Sequence, residues 1–210
     1  KGVAGIGFFD DEEAFVAECV RTNAAGNVYV GIQPRPRRLL TLAPNTIRPL
    51  RSGAGRKDIE VVTSTVVDLD PVRPKETAST AEELQDAIQA ASEAVGWTQG
   101  EGLLQPARVM SGNGAQLWFA FPPIVLDDEN RELVQANLKD FEAALRAAVE
   151  TDRVKVDSIH DLPRIIKVVG TVSHKGKPTE DRPHRVSAAL DGLDRVEDPA
   201  LQCLLLRPPA

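Results

Sequence analysis

Two aspartates at the end of a predicted strand are the residues of this sequence best suited to chemistry. Residues 60–70 are rich in β-branched side chains, and Pro71 and Pro74 end the strand directly afterwards. Because side chains alternate along a strand, Asp68 and Asp70 share one face, roughly 7 Å apart. Two carboxylates so placed can bind one or two divalent cations. A polar strand end with two solvated acids would give the same pattern.

A third acid and a group of cations follow later in the chain. Residues 154–157 are predicted to form a short strand that ends in Asp157. The cations and histidines that follow are Arg164, Lys167, His174, Lys175, Arg182, His184 and Arg185. Three acids that gather metal, facing cations that hold phosphates, are the apparatus of phosphoryl or nucleotidyl transfer. Ordinary surface charges are the alternative.

The spacing of two of these cations imposes a condition on that hypothesis. Arg164 and Lys167 lie on one predicted strand, over residues 164–169, and point to opposite faces if the strand is regular. Both can reach one ligand only if a bulge or bend interrupts the strand.

The composition restricts the class of protein. The chain has 210 residues, 42% of them apolar and 27% charged, which is typical of one large or two small globular domains. Cys19 and Cys203 are too few for a disulfide framework, so a reducing cytoplasm is predicted. No signal peptide is visible, and no apolar run approaches the roughly 18 residues of a membrane span, so no membrane partner is expected.

The charge distribution is uneven along the chain. The net charge of −6 argues against a nucleic-acid partner. Residues 33–57, however, hold seven basic side chains and no acid, and residues 164–185 hold six against two acids. The first block is an irregular loop that either contacts nucleic acid or phosphate, or is simply solvated.

Several other chemistries lack their motifs. The sequence has no phosphate-binding loop of the Gly-x-x-x-x-Gly-Lys-Ser/Thr type, no dinucleotide fingerprint and no Gly-x-Ser-x-Gly elbow. With three histidines and no Cys-x-x-Cys, a structural zinc site is not expected.

The remaining elements must position the charged residues. Helices are predicted over 12–22, capped by Asp10 or Asp11, over 80–95 with a capping box, and over 129–150. Strands are predicted over 28–32, 107–111 and 115–121, the last two joined in a hairpin by Gly112-Asn113-Gly114. The mixture of hairpins and helices predicts an α+β fold.

The alternation of side chains predicts which residues share a face. On the strand that carries the aspartates, the face opposite Asp68 and Asp70 is predicted to hold Val61, Thr63, Thr65, Val67 and Leu69. On the second helix, the buried stripe is predicted to be Leu84, Ile88, Ala91 and Val95.

Motifs in one consistent order resemble a known family. These are Val67-Asp68-Leu69-Asp70-Pro71-Val72-Arg73-Pro74, Ser79-Thr80-Ala81-Glu82-Glu83, Ser111-Gly112-Asn113-Gly114, Pro163-Arg164-Ile165-Ile166-Lys167 with Gly170-Thr171, His174-Lys175-Gly176, and Arg182-Pro183-His184-Arg185. Together they resemble the primase–polymerase domains of the archaeo-eukaryotic primase superfamily, in the form found in phage and plasmid replication proteins. The resemblance extends from about residue 5 to residue 189.

The resemblance implies a fold and an activity. The fold would have mixed or antiparallel sheets with an RRM-like catalytic core flanked by helices. Residues 1–210 would be a single catalytic domain, the N-terminal part of a longer replication protein that also has a helicase. The activity would be synthesis or extension of primers on single-stranded DNA template from NTPs or dNTPs.

The resemblance also implies roles for individual residues. Asp68, Asp70 and Asp157 would hold Mg²⁺ or Mn²⁺, as two ions. The nucleotide-binding positions would be Ser111, Gly112, Asn113, Gly114, Gln116, Arg164, Lys167, His174 and Lys175. Arg182, His184 and Arg185 would either contact the template or order their loop.

One position departs from the family pattern. The family usually has a histidine that contacts the nucleotide phosphates where this chain has Gln116, and an amide can donate a hydrogen bond but carries no charge. Loss of a charge-assisted contact costs about 1–2 kcal/mol of nucleotide binding, so weakened or altered polymerisation is expected. The alternatives are a degenerate primase fold that binds nucleic acid or nucleotide without catalysis, and another metal-dependent phosphoryl transfer, such as end-joining or nuclease work.

Overall fold

The computed structural model describes residues 5–157 and 160–208. Its α-helices are α1 (Glu12–Asn23), α2 (Ala81–Gly100), α3 (Arg131–Val149) and α4 (Pro199–Leu205), with 3-10 turns at Arg37–Leu42 and Arg56–Asp58. Its strands are β1 (Gly5–Ile6), β2 (Tyr29–Gly31), β3 (Arg48–Pro49), β4 (Val61–Pro71), β5 (Ala107–Met110), β6 (Ala115–Val125), β7 (Val154–Asp157), β8 (Ile165–Lys167), β9 (Val172–Ser173), β10 (Arg185–Val186) and β11 (Ala188–Ala189).

The centre of the fold is a five-stranded antiparallel sheet in the order β11-β5-β6-β4-β7. One face of this sheet is covered by helices, since α2 packs on β4 and β6, α4 packs on β6, and α3 packs against α2. The helix-covered face contains the main hydrophobic core, which includes Leu69, Leu117 and Phe121. The α+β prediction, with antiparallel sheet and flanking helices, is confirmed.

The opposite face of the sheet is only partly covered. The two-stranded antiparallel sheet β2-β8 lies over it, and Val66 on β4 packs there with Ile166 on β8. Part of this second face therefore lies open beside β2-β8. We call it the open face of the sheet, in contrast to the helix-covered face.

An irregularity in the central strand changes which residues are buried. The pairing of β4 with β6 shifts register between Val62 and Ser64, opposite Pro122 and Pro123 of β6. Proline has no N–H and cannot continue the ladder, which explains the shift at this point. Thr65, Val67 and Leu69 lie buried opposite the aspartates, but before the shift the core residue is Val62, so the prediction that Val61 shares their face was wrong.

Helix α2 begins where the sequence predicts and buries a different stripe. Thr80 Oγ1 accepts from the N–H of Glu83, whose carboxylate accepts from the N–H of Thr80, so the capping box is present. The helix runs five residues beyond the predicted end. Its fully buried side chains are small, namely Ala87, Ala90, Ala91, Ala94 and Thr98, whereas Ile88 and Val95 pack at the margin of the core. Small residues let the helix lie close to the sheet, and a search for large apolar residues overlooks them.

The other predicted elements are present close to their expected bounds. Asp11 caps α1 by accepting from the N–H of Ala14. The β5-β6 hairpin closes through the N–H of Ser111, which donates to the carbonyl oxygen of Gly114 at 2.9 Å. Within the described residues, no helix is both long enough and apolar enough to cross a bilayer.

Candidate active site

The three predicted acids are placed side by side by the strand pairing. Asp68 on β4 is directly opposite Asp157 on β7 and directly opposite Gln116 on β6. Cross-strand partners share a face and their Cβ atoms lie about 4.5–5.5 Å apart. Asp70 is two residues further along β4, on the same face. We call Gln116, Asp68, Asp157 and Asp70 the acidic row; it lies on the open face.

Asp68 has the least favourable electrostatic environment of the residues in the acidic row. Its Oδ1 atom is shut off from solvent and has no hydrogen-bond partner among the described residues, although the residue as a whole is half-buried. Burial, followed by repulsion from Asp70 and Asp157, raises the pKa of Asp68 to about 7. A hydrogen bond from Gln116 and the charge of Arg164 act in the opposite direction. A cation at this position would offset the cost of burying the carboxylate and its repulsion from Asp70 and Asp157.

Asp157, at the end of the neighbouring strand, is more exposed than Asp68 but is affected by the same kinds of interaction. Burial and the charge of Asp70 raise its pKa, while Arg164, Lys175 and Arg73 lower it. These three cations therefore lie close enough to act on the acidic row.

Asp70 is held by cations in the structure. Arg73 Nη2 donates to Asp70 Oδ2 at 3.0 Å, and Lys175 Nζ is 3.7 Å from the same oxygen. The Arg73 side chain is only 5% exposed and donates further to the carbonyl oxygens of Pro71 and Thr77. It is thus fixed at the end of β4, and the other oxygen of Asp70 is left for a ligand.

Arg73 belongs to the site, and the sequence analysis did not assign it a role. The signal was present, because an arginine three residues after an aspartate, between Pro71 and Pro74, can turn back on that carboxylate. The prolines indicated only that the strand ends there.

Lys167 is not brought to the acidic row. It faces Tyr29 in the regular pairing of β8 with β2, so the bulge needed to bring it beside Arg164 is absent. Its Nζ donates to Asn27 Oδ1 and to the carbonyl oxygen of Val172, and burial lowers its pKa to about 8. The charge of Arg164 thus acts on Asp68 and Asp157. The ammonium group of Lys167 instead binds Asn27 and the backbone at Val172.

The Ser111-Gly112-Asn113-Gly114 turn is packed against the central strand. A Cβ atom on Gly114 would lie 2.4 Å from the carbonyl oxygen of Leu69 and one on Gly112 would lie 2.5 Å from the Cβ of Ser173, so both positions require glycine. Asn113 is buried, with Oδ1 accepting from the N–H of Ser79 and Nδ2 donating to Ser173 Oγ. Ser111 Oγ accepts from the N–H of Gly114. The turn connects three segments next to the acidic row.

The histidines and arginines after β9 make contacts within the chain. Arg182 forms a bidentate pair with Glu83 at 2.7 Å, and Arg185 donates to the carbonyl oxygen of Ser79 at 2.7 Å. His174 Nε2 donates to the carbonyl oxygen of Asn23, and its ring packs edge-on against His184. Of the two roles considered for residues 182–185, these contacts favour ordering of the loop.

Gln116 is also engaged. It is 3% exposed, and its Oε1 accepts from Trp118 Nε1 at 3.0 Å, which turns the amide N–H groups towards Asp68. Gln116, which stands where the family has a histidine, therefore lowers the pKa of Asp68.

The basic block of residues 33–57 is partly neutralised within the chain. Arg37 pairs with Asp10, Arg38 with Asp58 and Glu60, and Arg56 with Glu132. Arg35 is half-buried and donates to backbone carbonyl oxygens. Arg48, Arg51 and Lys57 remain as exposed cations.

The acidic row suits a hard divalent cation, although it is not a closed cage. Within 5–157 and 160–208, no three His, Cys, Asp or Glu side chains converge on one point. The buried orphan oxygen of Asp68 and the mutual repulsion of three neighbouring carboxylates are what Mg²⁺ or Mn²⁺ would satisfy. The donor set therefore fits such an ion.

The fold and the side chains define an α+β domain with an acidic site on the open face of an antiparallel sheet. No protein-family model matches the sequence, and no curated protein matches it. Among solved structures, the chain is similar to the AEP domain of the primase–polymerase of cyanophage S-2L, with 15% identity and a TM-score of 0.41 over 94% of this chain and 98% of that chain. The name of that protein is that of the family whose motifs this sequence resembles. At this identity and TM-score, the similarity assigns no activity to the present chain.

Proposed function

We propose that the chain is a metal-dependent nucleotidyltransferase that synthesises or extends primers on single-stranded DNA from NTPs or dNTPs. The observation that carries the proposal is the buried Oδ1 of Asp68, which has no hydrogen-bond partner among the residues that the structure describes and lies between two further carboxylates. A protein that only needed a polar surface would not keep a carboxylate there, because burying an unpaired charge is costly.

The acids and cations have separate tasks in this proposal. Asp68, Asp70 and Asp157 would hold two Mg²⁺ or Mn²⁺ ions. When bound, such ions lower the pKa of an attacking hydroxyl and neutralise charge on the phosphate being transferred. Arg73 orients Asp70, as its fixed side chain in the structure indicates.

The phosphate-binding cations are assigned by their proximity to the acids. Arg164 and Lys175 act electrostatically on Asp157, and both are partly exposed. They would bind the triphosphate of the incoming nucleotide, whose charge matches theirs. The glycine backbone at Gly112 and Gly114 keeps side-chain bulk out of the same region. The partners would be template DNA, nucleotide and, in a longer protein, a helicase.

The test is a primer-synthesis assay on single-stranded DNA with Mg²⁺ or Mn²⁺ and labelled NTPs or dNTPs. Product from the wild type that is lost in D68A/D70A is the expected result. Asp140→Ala, on the exposed side of α3, is the matched control and should retain full activity. Addition of a pre-annealed primer distinguishes initiation from extension.

The second candidate is a nucleotide- or nucleic-acid-binding module without catalysis, and the arrangement of Gln116 favours it. The amide carries no charge, and its contacts are with Trp118 and Asp68 rather than with the space where a phosphate would lie. If folded wild type makes no product with or without a primer, yet binds nucleotide, this candidate replaces the first. Gln116→His then tests the missing charge, and a gain in nucleotide affinity of about tenfold is expected from about 1–2 kcal/mol.

A further inference from the structure

The open face of the sheet continues beyond the acidic row into a cavity of about 290 Å³. Its floor consists of cross-strand neighbours on β5, β6 and β4. Ala107, Trp118 and Val66 form one row, directly next to the row of Gln116 and Asp68. Ala120 and Ser64 form the next row. Trp118 is the one large aromatic side chain in these two rows, and it packs beside Val66 and Ile166.

The roof of the cavity comes from the small sheet. Val30 and Ile32, on and just after β2, and Ile166 on β8 face the floor, and residues 193–196 form one side. The walls are mainly apolar, whereas the mouth is polar. Gln105 and Asp194 lie there, both exposed, and neither makes a hydrogen bond within the part of the chain that the structure describes.

We propose that this cavity binds the base of a mononucleotide whose phosphates lie at the acidic row. The proposal rests on the proposed function and adds to it a binding site for the base. Its volume suits a single base, a planar group can stack on the indole of Trp118, and the free polar side chains at the mouth suit the edge of a base.

The position of the cavity supports the same occupant. Rows on one face of a sheet are separated by two residues, so the floor begins roughly 7 Å from Asp68 along β4. In a nucleotide the sugar separates phosphate and base by a comparable span. An apolar ligand with no phosphate would gain nothing from the adjacent cations Arg164 and Lys175.

A structural link joins the two parts. Trp118 Nε1 donates to Gln116 Oε1 at 3.0 Å, and Gln116 lies directly opposite Asp68 on the neighbouring strand. The orientation of the indole in the cavity is therefore fixed by the same side chain that supports the central acid.

The test uses the fluorescence of Trp118 in a Trp97→Phe background, since the chain has two tryptophans. The probes are nucleoside 5′-monophosphates in the presence of Mg²⁺, and ribose 5-phosphate with Mg²⁺ is the control that has the phosphate and lacks the base. We expect quenching by the nucleotides and none by ribose 5-phosphate. Equal quenching by both, or quenching only by an oligodeoxynucleotide, overturns the proposal.

Filling the cavity gives the second measurement. Ala107→Leu adds bulk beside Trp118, and Ala120→Leu does so in the next row if the first variant fails to fold. Either is expected to weaken mononucleotide binding at least tenfold, whereas Ala136→Leu on the exposed face of α3 leaves it unchanged. Wild-type affinity in a folded, filled variant refutes the assignment.

The outcomes separate this inference from the proposed function. Base-dependent binding by D68A/D70A without any nucleotide incorporation by the wild type keeps the cavity and removes the nucleotidyltransferase. Incorporation by the wild type with an unchanged nucleotide KM in Ala107→Leu keeps the enzyme and removes the cavity.

Discussion

Asp68→Asn is expected to stabilise the metal-free protein at alkaline pH, although it removes the central acid of the site. The pKa of Asp68 is raised from its usual value near 3.8 to about 7 in the folded chain. Between these values the folded state holds a proton that the unfolded state has released. Stability therefore falls as the pH rises through this window, and the full penalty is present above about pH 7.

The magnitude follows from the size of the shift. A change of about three pH units corresponds to roughly 4 kcal/mol, which is the upper limit of the gain. Burying the introduced amide without full hydrogen bonding costs part of it, so a net increase of about 2 kcal/mol is expected at pH 8. Below about pH 3 the carboxyl is protonated in both states and the variant should gain nothing, and at pH 4 only a small part of the gain should remain.

The assay is urea unfolding of both proteins with EDTA at pH 4 and at pH 8, with Asp140→Asn as the exposed control. Equal effects of Asp68→Asn at the two pH values, or a loss of stability at pH 8, would contradict the electrostatic reasoning. Addition of Mg²⁺ at pH 8 should stabilise the wild type more than the variant, because bound metal favours the folded state only where its ligands remain.

Three further substitutions examine how the site is supported. Gly114→Ala should lower stability by more than about 2 kcal/mol, because its Cβ would lie 2.4 Å from the backbone oxygen of Leu69. The control is Gly96→Ala, in open space on α2, which should raise stability by about 0.5–1 kcal/mol in the same urea titration. Similar effects of the two would show that the turn does not pack as described. Asn113→Ala leaves the buried N–H of Ser79 without a partner and should cost about 1–3 kcal/mol, measured by thermal unfolding; a neutral result would remove Asn113 as a bridge. Lys175→Met should increase Mn²⁺ affinity in the absence of nucleotide, measured by calorimetry, because it removes the cation beside Asp70; reduced affinity would contradict a competition between lysine and metal.

Local signals in the sequence predicted the elements that hold the site. The capping box at Thr80, the turn at Asn113 and the alternation around Asp68 each depend on a few neighbouring residues, and each is present in the structure. The juxtaposition of Asp68 with Asp157 depends on pairing between strands that are far apart in the chain. The sequence placed both at strand ends and could not give the register.

The cations were harder to predict than the acids. Arg164 directly precedes β8 and Lys167 ends it, and only the pairing of β8 with β2 decides which of them faces the acids. Arg73 reaches Asp70 through a turn whose geometry is set by contacts with Pro71 and Thr77. The register shift beside Pro122 could be located only from the pairing of β4 with β6. Because of this shift, Val62 rather than Val61 lies in the core.

The two halves of the site rest on elements of different kinds. Asp68 belongs to a strand that is hydrogen-bonded on both sides in the middle of the main sheet, so its backbone amides exchange with solvent only when the domain unfolds as a whole. Lys175 lies in a segment held by side-chain contacts such as those of Arg182 and Arg185. Such a segment can open by itself at a lower free energy. Asp68 and Asp70 are thus held in place as long as the domain stays folded, whereas Lys175 can move away while the main sheet remains intact.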